Sequence, residues 1–102
     1  MPLVADALRA LELQLEAQRA RGTRVLLVVH GYGSSGAGGA IRGAARKELR
    51  ALLGRGRIRV VLPGEDYTEF DAASRALRTR HPSLEATFRA DRANPGITLV
   101  EL

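Results

Sequence analysis

The sequence predicts an α/β fold, with helices packed on a mixed sheet in a single domain over residues 1–102. Three observations predict it. Val25-Leu-Leu-Val-Val29 is an unbroken apolar run, as expected of a strand buried on both faces. Apolar residues recur at helical spacing on either side of it, over 4–15 and 41–52. Glycine or proline signals at 22, 31–39, 54–56, 63–64 and 94–96 punctuate the chain between the periodic segments.

In chain order, Val4, Leu8, Leu11 and Leu15 define one face of a helix over about 3–20 that stops at Gly22. Arg24 to His30 is the buried strand. Residues 31–39 hold five glycines and two serines and are expected to form a loop. Ile41, Ala45, Leu49 and Leu52 give a second amphipathic helix that ends before Gly54. Residues 57–62 form a second strand, ended by Pro63-Gly64. Thr68 with Asp71 resembles a capping box, followed by a short helix with Phe70, Ala73 and Leu77 on its packed face, closed by His81-Pro82. A third strand is expected over 86–90, a turn at Asn94-Pro95-Gly96, and a last strand over 97–102. The order is α-β-α-β-α-β-β.

Composition narrows the function classes. An apolar share of 45% is that of a folded chain rather than a disordered one. No apolar run approaches the roughly 18–20 residues of a membrane span, and no signal peptide opens the sequence. The absence of Cys removes disulfides, thiolate metal sites and cysteine nucleophiles, so a cytoplasmic protein is expected. The net charge is +5, and Arg outnumbers Lys fifteen to one, which favours anionic partners because guanidinium binds phosphate bidentately. Seven bases against one acid, Glu48, fall between residues 42 and 59, directly after the glycine loop.

Four constellations carry chemistry. Gly31-Tyr32-Gly33-Ser34-Ser35-Gly36 fits G-x-G-x-x-G between a strand and a helix, where backbone N–H groups can approach phosphate. The chain has no room for the second half of a dinucleotide fold, and Ala37 and Gly38 stand where a phosphate-loop requires Lys and Ser or Thr. A polynucleotide backbone is the better-fitting phosphate source, with an unliganded connection as the bland alternative. Arg42, Arg46 and Arg50 are spaced by four and are expected to share an exposed helix face that tracks phosphates. His30, at the strand end, is read equally as a general acid or base and as a loop-fixing hydrogen-bond partner. His81 is read as a helix-end residue without a role. Glu65, Asp66, Glu69 and Asp71 have the chemistry to hold Mg²⁺, but suit the N-terminus of the third helix better. The absence of a G-x-S-x-G elbow excludes a serine hydrolase. The residues themselves give no metal site and no cofactor.

Two separated segments resemble the small MutS-related (Smr) domain family. Val28-Val29-His30-Gly31-Tyr32-Gly33, with Gly38-Gly39-Ala40-Ile41-Arg42 after it, is similar to that family's strand, H-G-x-G loop and helix start. Phe88-Arg89-Ala90, a turn, and Gly96-Ile97-Thr98-Leu99-Val100-Glu101-Leu102 are similar to its closing hairpin. The first helix, with Ala7-Leu8, also sits where the family has one, so that the match covers 3–53 and 86–102. The resemblance implies a two-layer α/β sandwich like the C-terminal domain of translation initiation factor three. It also implies binding of DNA or RNA, with endonuclease or nicking activity in many members. His30, Gly31, Tyr32 and Gly33 would then lie on the nucleic-acid face, assisted by Arg42. Two departures stand out. The chain opens at Met1-Pro2-Leu3, past where the family's L-D-x-H-G strand is expected, and residues 54–85 are longer than the family's connection. The strand at 57–62 is expected to take the vacated sheet position. The combined expectation is a nucleic-acid-binding domain contacting phosphates through His30, Gly31, Tyr32, Gly33, Ser34, Ser35, Arg42, Arg46 and Arg50. The alternatives are a nickase using His30 and a non-catalytic interaction domain.

Overall fold

The computed structural model describes residues 3–31 and 36–102. Helix α1 spans Leu3–Ala20 and buries Leu11 and Leu15. It ends where Gly22 takes φ +78, a conformation that a side chain resists, and Thr23 Oγ1 closes the turn on Gln18 Oε1 at 2.7 Å. Strand β1 is Val25–Val29, helix α2 is Gly36–Gly54, and strand β2 is Val60–Pro63. Helix α3 is Ala72–Arg80, helix α4 is Glu85–Asp91, and strand β3 is Ile97–Glu101.

The strand order is β1-β3-β2, and both pairings are antiparallel. The α/β sandwich expected from the sequence is present, but the sheet is not mixed and one helical layer is joined by a second. Along β3, side chains alternate between two cores. Val100 points to one side, among Leu11 and Leu15 of α1, Val28 of β1, and Ala45 and Leu49 of α2. Ile97 and Leu99 point to the other, among Leu62, Tyr67, Leu77 of α3, Leu84 in the turn before α4, and Phe88 of α4. Tyr67 and Phe88 meet edge to face at 5.0 Å, and the Arg78 guanidinium lies 3.6 Å over the Phe88 ring.

Several expectations are corrected. The strand buried on both faces is β3, all five residues of which are buried, and not β1. β1 lies at the sheet edge, and Val29 is 75% exposed. The glycine loop is shorter than 31–39, because α2 already begins at Gly36 and takes Gly36-Ala-Gly-Gly39 into its first turn. The second strand is 60–63 rather than 57–62, and it does lie in the sheet. The strand expected at 86–90, and with it the first arm of a closing hairpin, is helix α4. Leu84 and Phe88 are spaced by four and both buried, which is a helical face, and the flanking alanines and Arg89 favour helix. Asp71 alone caps α3, accepting from Ser74 N at 2.8 Å. Phe70 precedes that cap and is 83% exposed, so Ser74 and Leu77 form the packed face instead.

The 3-10 turn Gly64–Asp66 brings the chain from β2 against the turn that starts β3. A Cβ at Gly64 would overlap the Asn94 carbonyl and lie 2.6 Å from both Cγ1 and O of Ile97. Only glycine fits there. Beside it, Asn94 Oδ1 accepts from Gly96 N at 2.8 Å, which sets the turn into β3.

Candidate functional site

The backbone ladder between β1 and β3 runs two residues past β1. The Gly96 carbonyl accepts from both His30 N, at 3.1 Å, and Gly31 N, at 3.0 Å. Gly31 takes φ +71, which turns the chain away immediately after His30. The His30 ring is thereby held over the start of β3. Its Nδ1 lies 2.6 Å from the Gly31 carbonyl, which can only accept, so Nδ1 carries the proton. Nε2 is then an acceptor, and Thr98 Oγ1, 2.9 Å away, donates to it.

Thr98 is fully buried, and its oxygen in turn accepts from Arg46 Nε at 3.0 Å. The Arg46 guanidinium also donates to the Ile97 carbonyl at 3.1 Å and grips the Glu65 carboxylate with two bonds of 2.9 and 2.6 Å. A relay therefore runs Glu65–Arg46–Thr98–His30–Gly31 and ties α2, the turn after β2, β3 and the end of β1 together. Every polar atom along it has a partner.

The charges follow from this arrangement. The Arg46 hydrogen bonds hold the Glu65 carboxyl below its usual range, against the opposing effect of its partial burial. Burial pushes the His30 imidazole below its ordinary 6.5; the Gly31 carbonyl opposes this, and the positive charges of Arg46 and Arg42 reinforce it. His30 is thus a neutral ring with both nitrogens engaged. Its flank opens on an apolar cavity of about 190 Å³ lined by Leu11, Val29 and Ile41, among others.

Of the expected arginine face, Arg46 is the exception, because it is buried and faces the protein. It lies only about 60° around the helix from the buried Leu49, and a row spaced by four drifts about 40° per step. The row therefore moves from half-buried at Arg42, through the interior at Arg46, to solvent at Arg50. Arg42, Lys47, Arg50, Arg55, Arg57 and Arg59 make no ion pair among the described residues; Arg46 alone of the seven bases in that stretch does. Tyr32, Gly33, Ser34 and Ser35 lie outside the described residues.

The acid cluster disperses into other work. Glu65 pairs with Arg46, Glu69 with Arg92 at 3.3 Å, and Asp71 caps α3. Among the described residues no group of acids or histidines has the arrangement of a metal site.

At the opposite end of β3 stands a second polar cluster that the sequence reading left out. Glu101 faces the α3 side, accepting from Arg80 Nε at 2.9 Å, Arg80 Nη2 at 3.1 Å and His81 Nε2 at 2.5 Å. The Arg80 bonds, then those of His81, hold the Glu101 carboxyl below its usual range despite burial. The signal was present: an acid in the last apolar strand has to be paired if that strand is central. Compared with models of known protein families, with curated proteins and with solved structures, the chain has no match.

Proposed function

We propose that the chain binds nucleic-acid phosphates without base preference, along the exposed part of α2. The observation that carries this is the run of six cations between residues 42 and 59 with no ion pair among the described residues. Three of them, Arg42, Lys47 and Arg50, lie on α2, and unpaired cations of this kind neutralise a phosphate backbone and release its counterions. The contacts fall to Arg42, whose charge bears on His30, and to Lys47 and Arg50 further along the helix. Arg46 and His30 are positioning residues, which fix α2 and the β1 end relative to each other.

Binding is favoured over cleavage by the state of His30. A general acid or base needs a ring nitrogen open to the reacting atoms, and both nitrogens of His30 are engaged.

Fluorescence anisotropy with a labelled DNA duplex and a labelled RNA strand, over a series of salt concentrations, tests the reading. About three phosphate contacts give a slope of log K against log salt of about −2.7 on the duplex and about −2 on the single strand, and the double variant Arg42→Ala/Arg50→Ala reduces its size by about two-thirds. A slope near zero would leave an interaction domain instead. Supercoiled plasmid should stay intact; nicking that disappears in His30→Ala would restore the nickase.

A further inference from the structure

Of the two edges of the sheet, one is guarded and one is open. β2 is four residues long and ends in Pro63, features that keep an edge from pairing again. β1 reads Val25-Leu-Leu-Val-Val29, with no proline or charge along it and an unbroken register to β3. Its ladder shows which backbone groups are free. The Arg24 carbonyl accepts from Leu102 N, and His30 N donates to the Gly96 carbonyl, so the even-numbered residues of β1 turn both backbone groups towards β3. The N–H and C=O groups of Val25, Leu27 and Val29 therefore point out of the sheet. Among the described residues none of these groups has a partner. Val29, at the end of this edge, is the strand's most exposed side chain.

We propose that β1 pairs with β1 of a second copy of this chain, antiparallel about a two-fold axis at Leu27, which joins the two sheets into one. Symmetry selects this occupant. The free groups at 25, 27 and 29 are disposed evenly about Leu27, so Leu27 meets its own copy and Val25 meets Val29 of the second copy. Every free group on both edges is then bonded. Every facing pair is apolar. Val25 with Val29 and Leu27 with Leu27 lie on the α3–α4 side, and Leu26 with Val28 lies on the α1–α2 side. The flanking charges are compatible with it. Arg24 falls opposite the neutral, fully partnered ring of His30 of the second copy, and not opposite another arginine. A two-fold pairing closes on itself, and the guarded β2 edges end the joined sheet on both sides.

The helix above the edge fits the same partner. Ala7, Ala10 and Gln14 line one cavity with Val28 and Val29, so this uncharged flank of α1 stands over β1. The opposite flank, along the cleft shared with α2, carries Glu12, Glu16 and Arg19. Across the axis the two α1 helices face each other through the small side chains, which permits the near end of the roughly 8–10 Å between packed helix axes. The contact takes about ten residues a side, against roughly 20–30 in a standard interface, so the dimer is weak and concentration-dependent. Arg42, Lys47 and Arg50 take no part in it, so the pairing and the nucleic-acid reading fail separately.

Sedimentation equilibrium of the whole chain, without nucleic acid, should show the mean mass rising from the 11.0 kDa of one chain towards twice that between about 10 µM and about 1 mM. Over the same range amide exchange at Val25, Leu27 and Val29 should slow. In a mixture of labelled and unlabelled chains, Leu26 Hα should show a nuclear Overhauser contact to Val28 Hα of the other copy, as a non-hydrogen-bonded antiparallel pair requires. Val29→Pro removes an outward N–H and keeps the ladder to β3, so it should weaken the dimer about tenfold or more with circular dichroism unchanged. Val29→Lys, at the same exposed position, should do likewise by setting a charge against Val25 of the second copy. A dimer indifferent to both variants, or one whose new protection lies elsewhere, would overturn the proposal. So would a mass that stays at one chain: slow exchange at 25, 27 and 29 would then assign the edge to a segment of the same chain, and fast exchange would leave it to a strand of another protein.

Discussion

His30 and His81 are both partnered histidines at opposite ends of one strand, His81 held by the Glu101 carboxylate and His30 by neutral groups. Around His30 a carbonyl and a hydroxyl complete both nitrogens, and two arginine charges bear on the ring. Its imidazole is held below 6.5, so the unfolded chain binds the proton more readily than the native one. Stability therefore falls as pH drops from 6.5 towards the lowered native value, and this contribution is level above 6.5. Thermal unfolding between pH 7.5 and 5 should show a declining midpoint that flattens in His30→Asn; an equal decline in both would assign the effect elsewhere. Below about 4.5 a separate loss sets in as Glu65 and Glu101, both held low by arginine, take up protons. His30 was visible in the sequence as a residue that matters, because it follows an apolar strand. Its partners were not, since Thr98 and Arg46 meet it only after a strand register and a helix azimuth are fixed. Arg46 looked like its neighbours in the row, and nothing in a spacing of four tells which member faces inward.

At the scale of elements, the periodic segments were legible and the short ones were not. α1 and α2 each carry four apolar residues on one stripe, enough to set their type from the sequence, but α2 starts at Gly36, inside the expected loop. α4 has Phe88 and, just before it, Leu84 only, and at that length a strand and a helix fit equally well. The sheet order was hidden because β3 pairs with strands about 40 and 70 residues away in the chain. Gly64 shows what such long-range packing demands of one position. Gly64→Ala forces the Gly64–Asp66 turn off the Asn94 and Ile97 backbone and misplaces both Glu65 and the start of β3. The expected cost is at or above the top of the roughly 1–3 kcal/mol range for overpacking, read as a lower urea midpoint at unchanged slope. A neutral substitution would mean that the turn moves aside freely.

For the whole molecule, two cores lie on either side of one strand, so neither is independent of the other. Leu49 is fully buried in the α1–α2 core. Leu49→Ala should cost about 2–5 kcal/mol. Because both cores are built on β3, hydrogen exchange should show the same loss of protection in α4, across the sheet, as in α2. A loss confined to α2 would show that the layers unfold separately.

The central position of β3 also fixes an order of events during synthesis. β1 and β2 pair only with β3 and never with each other. A ribosome that has made residues 25–63 has produced two strands with nothing to join. α1 and α2 can already pack side by side, but the faces they would press on the sheet stay open to water until residues 97–101 emerge. The nascent chain therefore presents its valine- and leucine-rich strands to its surroundings until β3 is made, and that one strand closes both cores together.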